Sequence, residues 1–197
     1  MINKKNISLY FFLFISLNVF AQKATKDTIR ELNMFEKEIF FYDKMSVGIK
    51  APEFRFANMQ GDSLILSKLK GKVVVLNAFF AQCPPCIKEI PLLNKIKQKY
   101  DNKEVVFIAV SRWDTKDKLI EFQTKHDLQF NIIPSEYKEN IRTTTNAIFL
   151  EKTYLIPLYP TTIVIDQDGL ISYTNVGFSG EADVNGVDYI IGKLLKR

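Results

Sequence analysis

Only two cysteines and one histidine occur in the 197 residues. A structural zinc site asks for four ligands, usually thiolates and imidazoles. Cys83 and Cys86 form a single C-x-x-C and His126 lies far from them, so no metal site is expected and His126 reads as a surface or capping residue of a helix. A multi-disulfide framework is excluded by the same count. With 8 glycines and 7 prolines, collagen-like and low-complexity architectures are out. There is no internal repeat, which removes solenoids and propellers. There is no basic stripe either: Lys and Asp/Glu are interspersed, and two of the net five positive charges are Lys4 and Lys5. A nucleic-acid partner is therefore not expected.

What is present begins with the N-terminus. Lys4 and Lys5 precede an apolar run, Ile7 to Phe20, broken only by Ser8, Ser16 and Asn18. Val19-Phe20-Ala21 then places small residues three and one before Gln22, the pattern of a cleaved secretory leader. The run is short for a membrane span and polar sequence follows at once, so residues 1–21 read as a signal peptide rather than a retained anchor. No cysteine near the cut offers a site for lipid attachment. The expected mature protein is soluble and extracytoplasmic, periplasmic where a periplasm exists.

Residues 22–47 are polar, with Ile29, Leu32, Phe35, Ile39 and Phe40 in partly helical spacing, and read as an N-terminal arm. Gly48 to Pro52 reads as a linker, and the compact domain is expected over 48–197. Its 47% hydrophobic and 25% charged content for the whole chain is that of a folded protein. Phe54–Ala57 and Ser63–Leu66 flank Gly61-Asp62, a hairpin pattern, and Ser67–Lys72 reads as a turn. Val73–Phe80, apolar apart from Asn77 and with three β-branched valines at its start, reads as a buried central strand. From Pro84 to Tyr100 the apolar positions follow helical spacing, with a kink expected at Pro91. Val105–Val110 reads as a strand. Asp114 or Thr115 caps a helix to about Asp127 with Leu119, Ile120 and Phe122 inward. Phe130–Ile133 is a short strand. A helix within 135–156 is interrupted by Thr143–Asn146. Thr161–Ile165 and Leu170–Val176 flank the turn Asp166-Gln167-Asp168-Gly169, and a helix over 183–195 closes the chain. This order implies an α/β fold, a central mixed sheet with helices on both faces.

The dithiol falls where the buried strand gives way to the helix. A disulfide across two residues constrains little unfolded chain, so chemistry explains the pair better than stapling. A helix N-terminus stabilises a thiolate through its unpaired N–H groups and its dipole. Cys83 is thus the natural nucleophile and Cys86, one turn further in and less exposed, the resolving thiol. Pro84 and Pro85 cannot donate to the Cys83 sulfur, leaving amides such as those of Cys86 and Ile87. A less stabilised thiolate implies a lower potential and a lean towards reducing partners.

Ala51-Pro52-Glu53-Phe54, Leu66-Ser67-Lys68-Leu69-Lys70-Gly71-Lys72-Val73-Val74-Val75-Leu76-Asn77, Cys83-Pro84-Pro85-Cys86-Ile87-Lys88-Glu89-Ile90-Pro91, Tyr159-Pro160-Thr161-Thr162 and Ile165-Asp166-Gln167-Asp168-Gly169 together resemble the TlpA/ResA-like branch of the thioredoxin superfamily. The resemblance implies a thioredoxin-like fold with an N-terminal β-hairpin extension. It implies a thiol–disulfide oxidoreductase that needs no cofactor, reduces disulfides of exported proteins, among them apo-cytochromes c, and draws electrons from a membrane dithiol donor. It implies that Pro160 is cis and, with Tyr159 and Gln82, meets an extended substrate. It also implies a proton-transfer role for Glu89, whose plain alternative is an exposed acid in the first helical turn. The family's Trp before the first cysteine is replaced by Gln82. Phe79, Phe80 or Trp113 then supplies any aromatic cover, and Phe149, Tyr154 and Leu155 are candidate surface positions in a lengthened 134–156 stretch, or else core. A peroxiredoxin is excluded because Phe79-Phe80-Ala81-Gln82 precedes Cys83. The remaining rival is a thioredoxin-like binding module or copper carrier without turnover. Oligomeric state is not legible.

Overall fold

The computed structural model describes residues 46–101, 103–135 and 145–196. The expected leader and nearly all of the expected arm lie outside them. Two short strands, β1 (Arg55–Ala57) and β2 (Ser63–Ile65), pair antiparallel through Phe56↔Leu64. The turn between them uses Gly61 at φ 94°, a conformation open to glycine at little cost. Leu66–Leu69 is a 3₁₀ turn, more regular than the plain turn expected.

The main sheet has the order β5-β4-β3-β6-β7, built from β3 (Val73–Phe79), β4 (Val105–Ser111), β5 (Asn131–Ile133), β6 (Thr161–Ile165) and β7 (Ile171–Val176). β3 runs parallel to β4 and antiparallel to β6, with Leu76 opposite Ile108 and Ile163. Every residue of β3 is buried. That explains a sequence apolar on both sides except at Asn77, without the alternation of a half-exposed strand. Helices α1 (Pro84–Lys99), α2 (Lys116–His126) and α4 (Glu181–Leu194) share one core with Val73, Val75 and Phe79. On the other face Val74, Leu76 and Ala78 pack with the β1–β2 hairpin and with α3 (Thr145–Thr153). Each face of β3 is therefore covered by its own alternate residues. Among the described residues no helix is long and apolar enough to cross a membrane.

Several local expectations change. The 48–52 stretch is held to the sheet rather than hanging as a linker. Gly48 donates to Ile171 O at 2.7 Å, Ile171 donates to Ile49 O at 2.9 Å, and Ala51 donates to Gly169 O at 2.9 Å. Thr115, not Asp114, caps α2, its hydroxyl accepting from Lys118 N. Ile120 points outward at 49% exposure while Leu119 and Phe122 are buried. α1 continues through Pro91, which cannot donate to the Ile87 carbonyl one turn back. α3 starts inside the Thr143–Asn146 tract expected to interrupt it.

Candidate active site

The C-terminal ends of the parallel strands β3 and β4 and the start of β6 meet at one end of the sheet, and Cys83 lies there. After Phe79 the chain turns through Phe80–Gln82, and Cys83 donates its amide to Phe80 O at 3.1 Å. Cys83 is the N-cap of α1 in extended geometry, φ −86° and ψ 106°. Its Sγ accepts the Cys86 amide at 3.3 Å. The Ile87 amide, an expected second donor to sulfur, goes instead to the Cys83 carbonyl at 3.0 Å. Pro84 and Pro85 carry no N–H, so among the described residues one backbone donor, that of Cys86, faces the sulfur. The two cysteines are joined in a disulfide, S–S 2.01 Å and Cα–Cα 5.2 Å. Each is only 1% exposed. The expectation that Cys86 is the less exposed partner is not met in this disulfide form, where both side chains lie in one packed cluster.

Asp114 fixes the loop that leads into Cys83. Its Oδ2 accepts from Ala81 N at 2.7 Å and from Ser111 Oγ at 2.8 Å, and its Oδ1 pairs with Lys118 Nζ at 2.6 Å. A buried carboxylate needs such partners. In the sequence it is indistinguishable from a helix cap, so its grip on the dithiol loop escapes a local reading.

Glu89 lies one turn beyond Cys86 on the same helix. It is 2% exposed, so the exposed first-turn acid is excluded. The Asn77 Nδ2 of β3 donates to Glu89 Oε1 at 2.8 Å and to Thr162 Oγ1 at 3.0 Å. Burial raises the carboxyl to about 8; the Asn77 hydrogen bond opposes this and the charge of Asp183 adds to it. That value is close to the ordinary range of a thiol, about 8.5.

The Tyr159–Pro160 peptide is cis, and Pro160 is buried at the head of β6. The Tyr159 hydroxyl donates to Glu151 Oε1 at 2.9 Å. Burial, first, and then that carboxylate push the Tyr159 phenol far above its usual range. Phe80 contacts Trp113 and Tyr159, with ring centroids 5.1 and 5.8 Å apart. Phe79 turns into the core against Phe122 at 5.5 Å and gives no cover. Of the candidate surface positions in the lengthened stretch, Leu155 is 66% exposed, but Tyr154 is buried and bonds to Pro52 O. The Phe149 side chain is outside the described set. Gln82 is exposed and lines a groove with Lys118, Phe122 and His126. His126 packs on Phe122 at 4.7 Å in the last turn of α2.

The arrangement sets a disulfide at a helix start, a buried acid one turn further along that helix, and a cis-proline at the head of the neighbouring strand β6. Residues 46–191 match the Redoxin family. The chain is 32% identical over 149 residues to the thiol-disulfide oxidoreductase ResA of one Bacillus cereus strain, covering 75% of this chain and 80% of the relative. It is 36% identical over 138 residues to ResA of a second Bacillus cereus strain, covering 70% and 71%. It is 31% identical over 142 residues to the thioredoxin-like protein YneN of Bacillus subtilis, covering 69% and 77%. The fold is that of the thioredoxin domain of a thiol-disulfide oxidoreductase from Bacteroides vulgatus, with TM-score 0.62, 23% identity and coverage of 74% and 97%.

Proposed function

The chain belongs to the Redoxin family, as a TlpA/ResA-like thiol–disulfide oxidoreductase of the thioredoxin superfamily, and on that premise we propose that it works outside the cytoplasm as a reductant of exported proteins. The Cys83 thiolate attacks a client disulfide. One client sulfur bonds to Cys83 Sγ and the other leaves as a thiolate. Cys86, its proton taken by Glu89 in the fraction of molecules where that carboxyl is ionised, then attacks Cys83 Sγ and releases the second client thiolate. Two electrons pass to the client, and the product is the Cys83–Cys86 disulfide. A membrane dithiol donor returns the electrons. Tyr159, cis-Pro160 and Gln82 line the client's path.

The observation that carries the direction is the single backbone N–H at the Cys83 sulfur. Fewer donors leave the thiolate less stable, and a less stable reduced form gives a more reducing couple. Export rests on the Lys4-Lys5, Ile7–Phe20 and Ala21 pattern, and apo-cytochromes c are the client class the family suggests. Insulin reduction, abolished by Cys83→Ser, tests the exchange itself. A midpoint potential near the strongly oxidising end, about −120 mV, would overturn the reductive direction. Cys86→Ser expressed in the host should accumulate a mixed disulfide whose client mass spectrometry identifies. Absence of any such adduct, with no insulin reduction, would favour a binding module or copper carrier instead.

A further inference from the structure

One ion pair beside the dithiol takes no part in electron transfer. Arg112 follows β4, and its amide donates to Phe79 O at 2.9 Å. Its guanidinium lies 4.1 Å from the Trp113 ring centroid and 5.2 Å from that of Tyr159. Glu151 of α3 receives both the Arg112 Nε and the Tyr159 hydroxyl on one oxygen, Oε1. Phe80, whose carbonyl takes the Cys83 amide, completes the group through its contacts with Trp113 and Tyr159. Three rings thus form a shelf that begins at the residue bonded to Cys83 and ends at Trp113, 44% exposed.

Two features decide what such a shelf receives. The Arg112 charge is already answered by Glu151, so the shelf offers no free cation to an acidic group. Its outer member is a half-bare indole with Arg112 against one face, and the apolar ring surface left open gains most from an aromatic or large aliphatic partner. A polypeptide that brings a cysteine to Cys83 lays its flanking residues on the surface around that sulfur, and the shelf is part of that surface. Building on the reductase reading above, we propose that Phe80, Trp113 and Tyr159, stiffened by the Arg112–Glu151 pair, form a specificity surface for clients with an aromatic or large aliphatic side chain next to the disulfide-bonded cysteine.

The test uses three disulfide-bridged peptides that differ only in the residue after the cysteine: Phe, Ser or Asp. The reduced full-length protein should prefer the Phe peptide over the Ser peptide by about tenfold in kcat/KM, chiefly through KM, and should show no preference for Asp. Trp113→Ala should bring the Phe-to-Ser ratio to within about twofold of unity, and Trp113→Phe should restore most of it. Glu151→Gln frees Arg112 and should raise the Asp peptide against Ser by a few-fold at most, as a partly exposed ion pair allows. A wild-type ratio near one, a ratio that survives Trp113→Ala, or a wild-type preference for Asp would each overturn the shelf. Reduction of hydroxyethyl disulfide by the wild-type protein tests the underlying reading separately. If that exchange occurs without a Phe preference, only the shelf fails; if no cysteine-dependent exchange occurs, the reductase reading fails.

Discussion

The Glu89→Gln substitution should abolish a large pH dependence of stability. Glu89 sits near 8 in the folded protein, against 4.5 for the free side chain. Between those values the unfolded chain has lost the proton and the folded chain keeps it, so the folded state binds more protons. Stability then falls as pH rises through this window. It is highest below the unfolded value and fully reduced above the folded one. At ~1.4 kcal/mol per unit, the whole window is worth on the order of 5 kcal/mol. Gln is neutral throughout, and its amide oxygen can still accept from Asn77. Urea denaturation of the oxidised protein at pH 5, 6, 7, 8 and 9 would measure this. The wild type should lose stability steadily, while the Glu89→Gln protein stays flatter by several kcal/mol and overtakes the wild type at pH 9. A wild-type curve level or rising over that range, or a variant with the same slope, would refute the assignment of a buried neutral acid.

Other expectations concern the frame around the dithiol. Asp114→Ala strands the buried Ala81 amide and should cost about 1–3 kcal/mol, read by thermal denaturation, with Asp114→Asn intermediate because it keeps an oxygen for that amide. Leu76→Ala, in the fully buried centre of β3, should cost about 2–5 kcal/mol in urea denaturation. Tyr154→Phe removes the bond to Pro52 O and should cost about 1 kcal/mol, measured the same way.

The parts legible in the sequence are those whose signal is local. The run Val73–Phe80 reads as a buried strand, and the helix after Cys83 follows from its spacing. Gly61 and the Asp166–Gly169 turn mark their hairpins for the same reason. What is not legible depends on residues far apart in the chain. Glu89 reads equally as a proton-transfer acid or a solvated helix acid until Asn77, from a different element, is seen donating to it. Asp114 looks like a cap because its true partner, Ala81, lies 33 residues away. Arg112 and Glu151 are ordinary surface charges when read separately, and only the fold brings them onto one tyrosine. Ile120 reads as inward because it is apolar and next to Leu119. The neighbour on a helix points about 100° away, and only one of the two could face the sheet.

The pinning of Gly48–Ala51 to Gly169–Ile171 has a geometric corollary. The turn before β7 lies beside Gly71, at the entrance to β3, whereas Cys83 follows its exit. The first described residues of the domain therefore lie at the pole opposite the reactive sulfurs. A surface coupled at that end, for instance through a residue substituted at Gly48, would thus lie on the far side of the sheet from the redox centre.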